Sequence, residues 1–229
     1  NATGRSDWSN LLGFVQNRAD GGANPYKFKL TNDIDLTQAS APYMPYLGVT
    51  EFTASNGGSS VVAADNNYKF NFNWNLRQSG VGALGYVRGT NLNNITVVTG
   101  NYAGQTSSTN AINANDYVGA LAGVVLNGQI NKVFVGISGD IRGSNYIGAV
   151  VGRIYNTPVG EVSALRTLGV ADSNARVIGS GSYVGGISGR MDTTALRNVR
   201  TDLSVQGGSY TGGVSGYMSG NVYFGINFT

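Results

Sequence analysis

Two aspartates two residues apart form the pair most suggestive of chemistry in this sequence. Asp33 and Asp35 stand in the stretch NDIDL, residues 32–36. On a strand, residues i and i+2 lie on one face about 7 Å apart along the backbone, so two carboxylates could serve a glycosidase or bind calcium. The alternative is that both cap the turns around the strand by accepting hydrogen bonds from backbone N–H groups. We favour this structural role.

The other charged residues predict little further chemistry. Asp116 and Asp140 each follow an asparagine or a glycine and precede a strand-like segment, so both are expected to be turn residues rather than metal ligands. Arginines crowd the C-terminal half and could form an outward row that contacts anionic glycans. The favoured interpretation is that they are dispersed, solubilising charges that discourage pairing at sheet edges. These arginines are Arg142, Arg153, Arg166, Arg176, Arg190, Arg197 and Arg200.

The composition excludes several classes of mechanism. The 229 residues include no histidine and no cysteine, which removes disulfides, the usual zinc sites, histidine bases and cysteine nucleophiles. A formal net charge of +3 without a basic cluster gives no reason to expect nucleic-acid binding. The apolar run at residues 118–126 contains two glycines and is too short to span a membrane. We therefore expect no catalytic residue, no cofactor and no bound metal.

A glycine-rich motif returns four times, as DYVGALAGVV, NYIGAVVGRI, SYVGGISGRM and SYTGGVSGYM, with tyrosines 29, 37 and 27 residues apart. SGVGALGY, residues 79–86, is a degenerate copy with glycine at the tyrosine position. Segments of this size without a helical period match one coil of a parallel β-helix. The repeat positions are Tyr117, Gly119, Leu121 and Gly123; Tyr146, Gly148, Val150 and Gly152; Tyr183, Gly185, Ile187 and Gly189; and Tyr210, Gly212, Val214 and Gly216.

A strand period of two predicts which residues of the motif face inward. Tyr117, Gly119, Leu121 and Gly123 would point one way, with the leucine position in the core, whereas residues 118, 120 and 122 would face solvent. Glycine on either side of the aliphatic residue would let neighbouring backbones approach closely. Coils stacked about 4.8 Å apart would then form tyrosine and aliphatic ladders. An antiparallel sandwich with coincidental glycines is the alternative.

The first third of the chain differs from the rest. Residues 6–22 have the apolar spacing and the flanking residues of a short amphipathic helix. Residues 26–36 and 68–76 alternate as strands, and residues 37–66 are expected to be loop. We therefore predict an all-β fold, a right-handed parallel β-helix with a short N-terminal capping helix. Residues 1–78 would hold that helix and the first strands with a long loop insertion, and residues 79–229 the glycine-rich repeats, within one continuous domain.

The order YKFKLTNDIDL, YMPYLG, VGALGYV, LNNITVV and YVGALAG resembles large bacterial exoproteins. These are filamentous-haemagglutinin-like adhesins and other surface proteins with GLUG-type glycine-rich repeats. Residues 49–75 lack the GTFDGNGHTI-like stretch that the family often has there. The resemblance implies a right-handed β-helix, export to the cell surface and an adhesive or scaffolding role, without a defined catalytic residue set.

The resulting expectation is a non-enzymatic, secreted or cell-surface adhesin that binds a host or environmental glycan or protein. Because the sequence begins at Asn1 without methionine or signal peptide, we expect a processed protein or a piece of a longer one. An alternative is a self-assembling subunit of an extracellular filament or spike. The terminal stretch GNVYFGINFT would then pair end to end with another copy. A polysaccharide-degrading β-helix enzyme using Asp33 and Asp35 is a third hypothesis.

Overall fold

The computed structural model describes most of the chain from residue 78 onward and several shorter ranges before it. The described residues are 24–30, 33–36, 44–47, 49–53, 69–72, 74–76, 78–99, 110–166, 175–192, 194–220 and 223–225. The predicted N-terminal helix, residues 6–22, lies outside them. Their regular secondary structure is entirely β-strand, which confirms the all-β prediction for this part of the chain. No helix in these ranges has the length and apolar character needed to cross a bilayer.

The strands are short and rich in β-branched residues and glycine. Their bounds are β1 (Asn24–Lys29), β2 (Ile34–Leu36), β3 (Met44–Leu47), β4 (Val49–Thr53), β5 (Lys69–Phe72), β6 (Trp74–Asn75), β7 (Leu84–Arg88), β8 (Asn91–Thr99), β9 (Asn110–Asn113), β10 (Ala122–Leu126), β11 (Gln129–Ile137), β12 (Asp140–Gly143), β13 (Ile147–Gly148), β14 (Val151–Tyr155), β15 (Val159–Arg166), β16 (Arg176–Gly179), β17 (Val184–Gly185), β18 (Ser188–Asp192), β19 (Ala195–Thr201), β20 (Ser204–Gln206), β21 (Thr211–Gly212), β22 (Ser215–Ser219) and β23 (Tyr223–Gly225).

Four sheets collect these strands, and all of their recorded pairings are parallel. Sheet I has nine strands in the order β1-β4-β8-β11-β15-β19-β23, with β5 paired to β8 and β2 paired to β5. Sheet II has six strands, β3-β7-β10-β14-β18-β22. Sheet III has five, β6-β9-β12-β16-β20, and sheet IV has three, β13-β17-β21.

The chain visits the sheets in a fixed order. From β7 onward it passes through sheets II, I and III, then through sheet IV or the bridge that extends it, and returns to sheet II. Val118 bridges Val81 on one side and Ile147 on the other, which brings the degenerate copy of the motif into register with the four full copies. Equivalent positions of successive repeats therefore lie beside one another.

Rows of aliphatic side chains fill the space between the sheets. In sheet II, for example, Val87, Val125, Ile154 and Met191 occupy paired positions and are fully buried. The leucine position of the motif is buried at Leu121, Val150 and Ile187 and half-buried at Val214. Each buried aliphatic side chain contributes about 1.5–3 kcal/mol to folding, so these rows stabilise the packing of one repeat on the next.

The motif is predicted to alternate between core-facing and solvent-facing residues, and this prediction is wrong for the residues expected to face solvent. Val118, Ala120 and Ala122 are fully buried rather than exposed, and only in the last copy are Thr211 and Gly213 exposed. The motif spans the corner between sheets IV and II instead of one straight strand, so residues of both parities turn inward.

The prediction of a loop over residues 37–66 is also wrong in part. Strands β3 and β4 lie within that range. Pro45 belongs to β3, which is the edge strand of sheet II among the described residues, and an edge strand tolerates a residue without a backbone N–H group.

Left-handed backbone recurs at three positions of the repeat. The non-glycine residues with positive φ, between 45° and 65°, are Asn94, Tyr117, Asn127, Lys132, Tyr146, Asn156, Glu161, Tyr183, Asn198 and Tyr210. One position precedes sheet IV, one follows sheet II, and one interrupts the strands of sheet I. Each changes the direction of the chain locally, so the repeat turns at the same places each time.

Candidate functional site

Four tyrosines form a stacked column on the surface, which we call the tyrosine ladder. It consists of Tyr117, Tyr146, Tyr183 and Tyr210. Consecutive ring centroids are 4.6, 4.7 and 5.0 Å apart, with interplanar angles of 4–7°. The first three side chains are partly exposed, and Tyr210 at the end is 54% exposed. Because the rings cover one another's faces, contact with solvent along the ladder falls mainly to the ring edges.

The backbone that carries the ladder is held by hydrogen bonds between repeats. The N–H of Tyr117 donates to the carbonyl of Asn145 at 3.0 Å, and the N–H of Tyr146 donates to that of Ser182 at 3.1 Å. The residues before the first two tyrosines, Asp116 and Asn145, add side-chain links. The Asp116 carboxylate accepts from the N–H of Asn145 at 2.9 Å, and the Asn145 side-chain oxygen accepts from the N–H of Ser182 at 2.8 Å. The tyrosine positions are therefore set by the backbone of the neighbouring repeat.

The glycine six residues after each ladder tyrosine lets neighbouring backbone approach the ladder closely. A Cβ added at Gly152 would lie 2.6 Å from the carbonyl carbon of Tyr117 and from the carbonyl oxygen of Tyr146. At Gly189 it would lie 2.4 Å from the carbonyl oxygen of Tyr183. These contacts are with backbone atoms, which cannot rotate away. The glycines thus belong to the support of the ladder and are not themselves surface groups.

A second column runs beside the ladder in sheet II, and we call it the flanking row. Its paired positions are Tyr86, Val124, Arg153, Arg190 and Tyr217. Tyr217 meets Tyr210 and Tyr183 edge-on, with centroids 5.4 and 5.8 Å away. At the other end the ring of Tyr86 lies over Gly80, where a Cβ would come within 2.2 Å of it. The ladder is therefore flanked by an aromatic residue near each end and by two arginines between them.

The two arginines converge on Asp192, whose side chain is only 6% exposed. Arg190 binds it through Nε at 2.9 Å, and Arg153 through Nη2 at 3.0 Å. The hydroxyl of Ser219 also donates to the carboxylate. Burial alone raises the pKa of Asp192, but the hydrogen bonds from Arg190, Ser219 and Arg153 outweigh it and hold the pKa below its usual value. The cluster keeps one net positive charge next to the tyrosines.

Arg190 and Tyr117 show that the ladder and the charged cluster interact. The guanidinium carbon of Arg190 lies 5.0 Å from the ring centroid of Tyr217 and 5.7 Å from that of Tyr183, which is cation–π distance. Burial, followed by the proximity of Tyr146, raises the pKa of the Tyr117 phenol, and the charge of Arg153 partly opposes this. The Tyr117 phenol therefore stays uncharged at neutral pH, and the guanidinium groups of Arg153 and Arg190 lie beside the ladder.

The acidic residues singled out in the sequence occupy different environments. Asp33 is exposed directly before β2, whereas the side chain of Asp35 is outside the described set, so the pair stays a hypothesis. Asp116 lies in a bend, as expected for a turn residue. Asp140 is more than a turn residue: it is buried at the start of β12 and forms ion pairs of 2.7 Å with Arg142 and 2.8 Å with Arg176.

The interpretation of the arginines as dispersed charges is wrong for four of them. Arg142, Arg153, Arg176 and Arg190 are all held in ion pairs with two buried aspartates. Among the remaining three, Arg166 lies 3.7 Å from a carboxylate oxygen of Asp202, and Arg197 and Arg200 are exposed. Sequence reasoning missed these clusters because each one joins residues from different repeats. A signal was available, since Arg153, Arg190 and Tyr217 all stand seven residues after a ladder tyrosine.

Within the ranges that the structure describes, no three acidic residues come close enough together to hold a metal ion. Comparison of the chain with protein-family models, with curated proteins and with solved structures found no match. The ladder and its flanking row are therefore taken as the candidate functional site on their geometry alone.

Proposed function

We propose that this chain is a secreted or cell-surface bacterial adhesin, related to filamentous-haemagglutinin-like proteins with GLUG-type repeats, that binds carbohydrate without catalysing a reaction. Its repeats would wind as a right-handed parallel β-helix. The recurring order of parallel sheets supports a helical path, and right-handed crossovers dominate parallel connections. The β-helix would act as a rigid rod that presents the tyrosine ladder and the flanking row.

The observation that carries this proposal is the presence of tyrosine where the backbone would accept glycine. Gly80 occupies the equivalent corner with φ of 76°, and the four tyrosines have φ of 56–65°. Left-handed backbone costs a bulky residue about 1–2 kcal/mol, and aromatic stacking returns about 0.5–1.5 kcal/mol for each pair. Stacking by itself therefore roughly offsets the cost of the left-handed backbone. What tyrosine adds is a regular row of partly exposed aromatic rings.

The chemistry of this face suits an extended glycan. Phenol hydroxyls both donate and accept hydrogen bonds, and guanidinium groups donate several, so the face can bind the many hydroxyl groups of a sugar chain. The 4.6–5.0 Å spacing of the rings is comparable to the length of one pyranose unit, which would let successive sugars meet successive tyrosines. Tyrosine also combines an apolar ring with a polar tip, as glycan contacts require.

A glycan-binding experiment with matched variants tests the proposal. The purified chain would be screened on a polysaccharide panel, and the best ligand would be titrated by calorimetry against Tyr146→Ala and Tyr183→Ala. We expect each variant to lose roughly tenfold or more in affinity, as for the central residues of an interface. Tyr155→Ala is the control, because Tyr155 is 44% exposed in sheet II but outside the ladder and the flanking row. Equal affinity of all three variants and the wild type would remove the ladder from the binding site.

A filament subunit is the second candidate, and one observation favours it. The last strands of sheets II, III and IV, namely β22, β20 and β21, have no further strand beside them in the described residues. Val205, Val214 and Met218, at the core positions of this end, are only half-buried. An open sheet edge favours pairing with another chain. Sedimentation velocity over a wide concentration range tests this, since a particle that stays monomeric throughout would exclude the filament.

A further inference from the structure

The ladder brings together oxidisable side chains in a chain without cysteine. Tyr183 and Tyr210 are stacked with centroids 5.0 Å apart and planes 4° from parallel. They belong to consecutive repeats, since their neighbours Val184 and Thr211 are paired in sheet IV. With no cysteine in the sequence, no disulfide can join these repeats, and phenols are the side chains here that one-electron oxidation can join instead.

We infer that Tyr183 and Tyr210 form a site of oxidative cross-linking, at which a peroxidase using hydrogen peroxide joins the two rings as dityrosine. The inference does not rest on the proposed glycan binding. A covalent bond between the two rings would fasten the last described repeat to the one before it. The bond would lie at the end of the ladder, in the repeat whose core residues Val205, Val214 and Met218 are only half-buried.

The chemistry balances with peroxide as the oxidant. Each phenol loses one electron and one proton to become a phenoxyl radical. The two radicals couple by forming a bond between the carbons ortho to the hydroxyl groups. Each of these carbons then gives up its hydrogen as a proton, and each oxygen takes one proton back, which restores two phenols. The pair has lost two electrons and two protons in total, and one hydrogen peroxide takes them up to become two water molecules.

The geometry favours coupling within the molecule at this pair. Reacting groups that are already held side by side react without a diffusional encounter, which raises their effective concentration by orders of magnitude. The rings must tilt to bring their ortho carbons together, and Tyr210 has room to do so. It is 54% exposed and stacks on a single ladder neighbour, whereas Tyr146 is held between Tyr117 and Tyr183.

Peroxidase treatment followed by peptide mapping tests the inference. The purified full chain would be treated with a haem peroxidase and hydrogen peroxide over a range of protein concentrations, and then digested with trypsin. Arg190, Arg197 and Arg200 lie between the two tyrosines, so the residues fall in different tryptic peptides. Mass spectrometry would identify the linked pair by the loss of two hydrogen atoms from the summed peptide mass, and fluorescence would report dityrosine.

Phenylalanine variants decide the outcome, because they keep the stacked ring and remove the phenol. We expect a link between the peptides of residues 183 and 210 in monomeric protein, with a yield that does not fall on dilution. Y183F and Y210F should abolish it, whereas Y155F and Y217F should not. A yield that falls on dilution, links found only between molecules, or a link that survives in Y210F and disappears in Y217F would each overturn the assignment.

Discussion

Replacing Gly152 with alanine should destabilise the protein far more than the same change at Gly213. The Cβ of alanine at position 152 would lie 2.6 Å from the carbonyl oxygens of Gly123 and Tyr146 and from the carbonyl carbon of Tyr117. All three atoms are backbone, so relief requires the neighbouring repeats to separate. At Gly213 the added methyl group would meet nothing within 4 Å, and the third residue after the ladder tyrosine is already alanine in two other repeats, at Ala120 and Ala149.

The magnitude follows from two costs. Overpacking a closely fitted site costs about 1–3 kcal/mol. Displacing the Tyr146 carbonyl weakens the 3.0 Å hydrogen bond that it accepts from the N–H of Val118, which costs about 1 kcal/mol more. The free energy of unfolding should therefore fall by roughly 2–4 kcal/mol in Gly152→Ala. For a protein of this size about 2–4 °C of Tm accompanies each kcal/mol, so the melting temperature should fall by roughly 4–16 °C.

Urea unfolding monitored by far-UV circular dichroism measures the effect, with thermal melts as a second measurement. Gly213→Ala should change the free energy of unfolding by no more than about 0.5 kcal/mol, or raise it slightly by restricting the unfolded chain. Two variants with equal stabilities would refute the reasoning. Such a result would mean that the backbones of adjacent repeats are not in the close contact that requires glycine at position 152.

Three further predictions concern the core and the ionisable groups. Leu121→Ala should lower the free energy of unfolding by about 2–5 kcal/mol, because Leu121 is fully buried. Val214→Ala, at the equivalent half-buried position, should lower it distinctly less. Urea unfolding of the two variants measures both changes. The lowered pKa of Asp192 means that its stabilisation is complete above the unfolded pKa of about 4 and is lost as the pH falls through the lower folded value. Unfolding measured across the acidic range should show this slope, and Asp192→Asn should reduce it. The raised pKa of Tyr117 means that the protein keeps its full stability below the unfolded pKa of about 10 and loses part of it as the pH rises through the higher folded pKa. The dependence of unfolding on alkaline pH should therefore differ between the wild type and Tyr117→Phe. Coincident curves would contradict the burial of this phenol.

The all-β class and the register of the repeats could be predicted from the sequence because they depend on local spacing. A tyrosine, a β-branched residue and glycines return at coil-sized intervals, and Val118 does pair with Val81 and Ile147 as that alignment requires. Which residues of the motif point into the core could not be predicted in the same way. A period of two holds for a straight strand, and the left-handed tyrosines and the corner after them interrupt the strand.

The charged part of the candidate site depended on contacts between repeats. Asp192 and Arg153 are 39 residues apart in the chain, and Asp140 and Arg176 are 36 apart. Composition alone suggested dispersed surface charge, because nothing local to Arg153 or Arg176 indicates a buried carboxylate partner. The pairing becomes visible only when neighbouring strands are in register.

The sequence by itself determined the β-strand class, the positions of the repeats and the four tyrosines that recur in them, because each of these is written in the order of neighbouring residues. Tertiary structure alone decided that the tyrosines stack with 4.6–5.0 Å between ring centroids and that the arginines beside them converge on one buried aspartate. The physical reason is that both arrangements arise from the parallel stacking of repeats. That stacking brings residues 27–39 positions apart into direct contact.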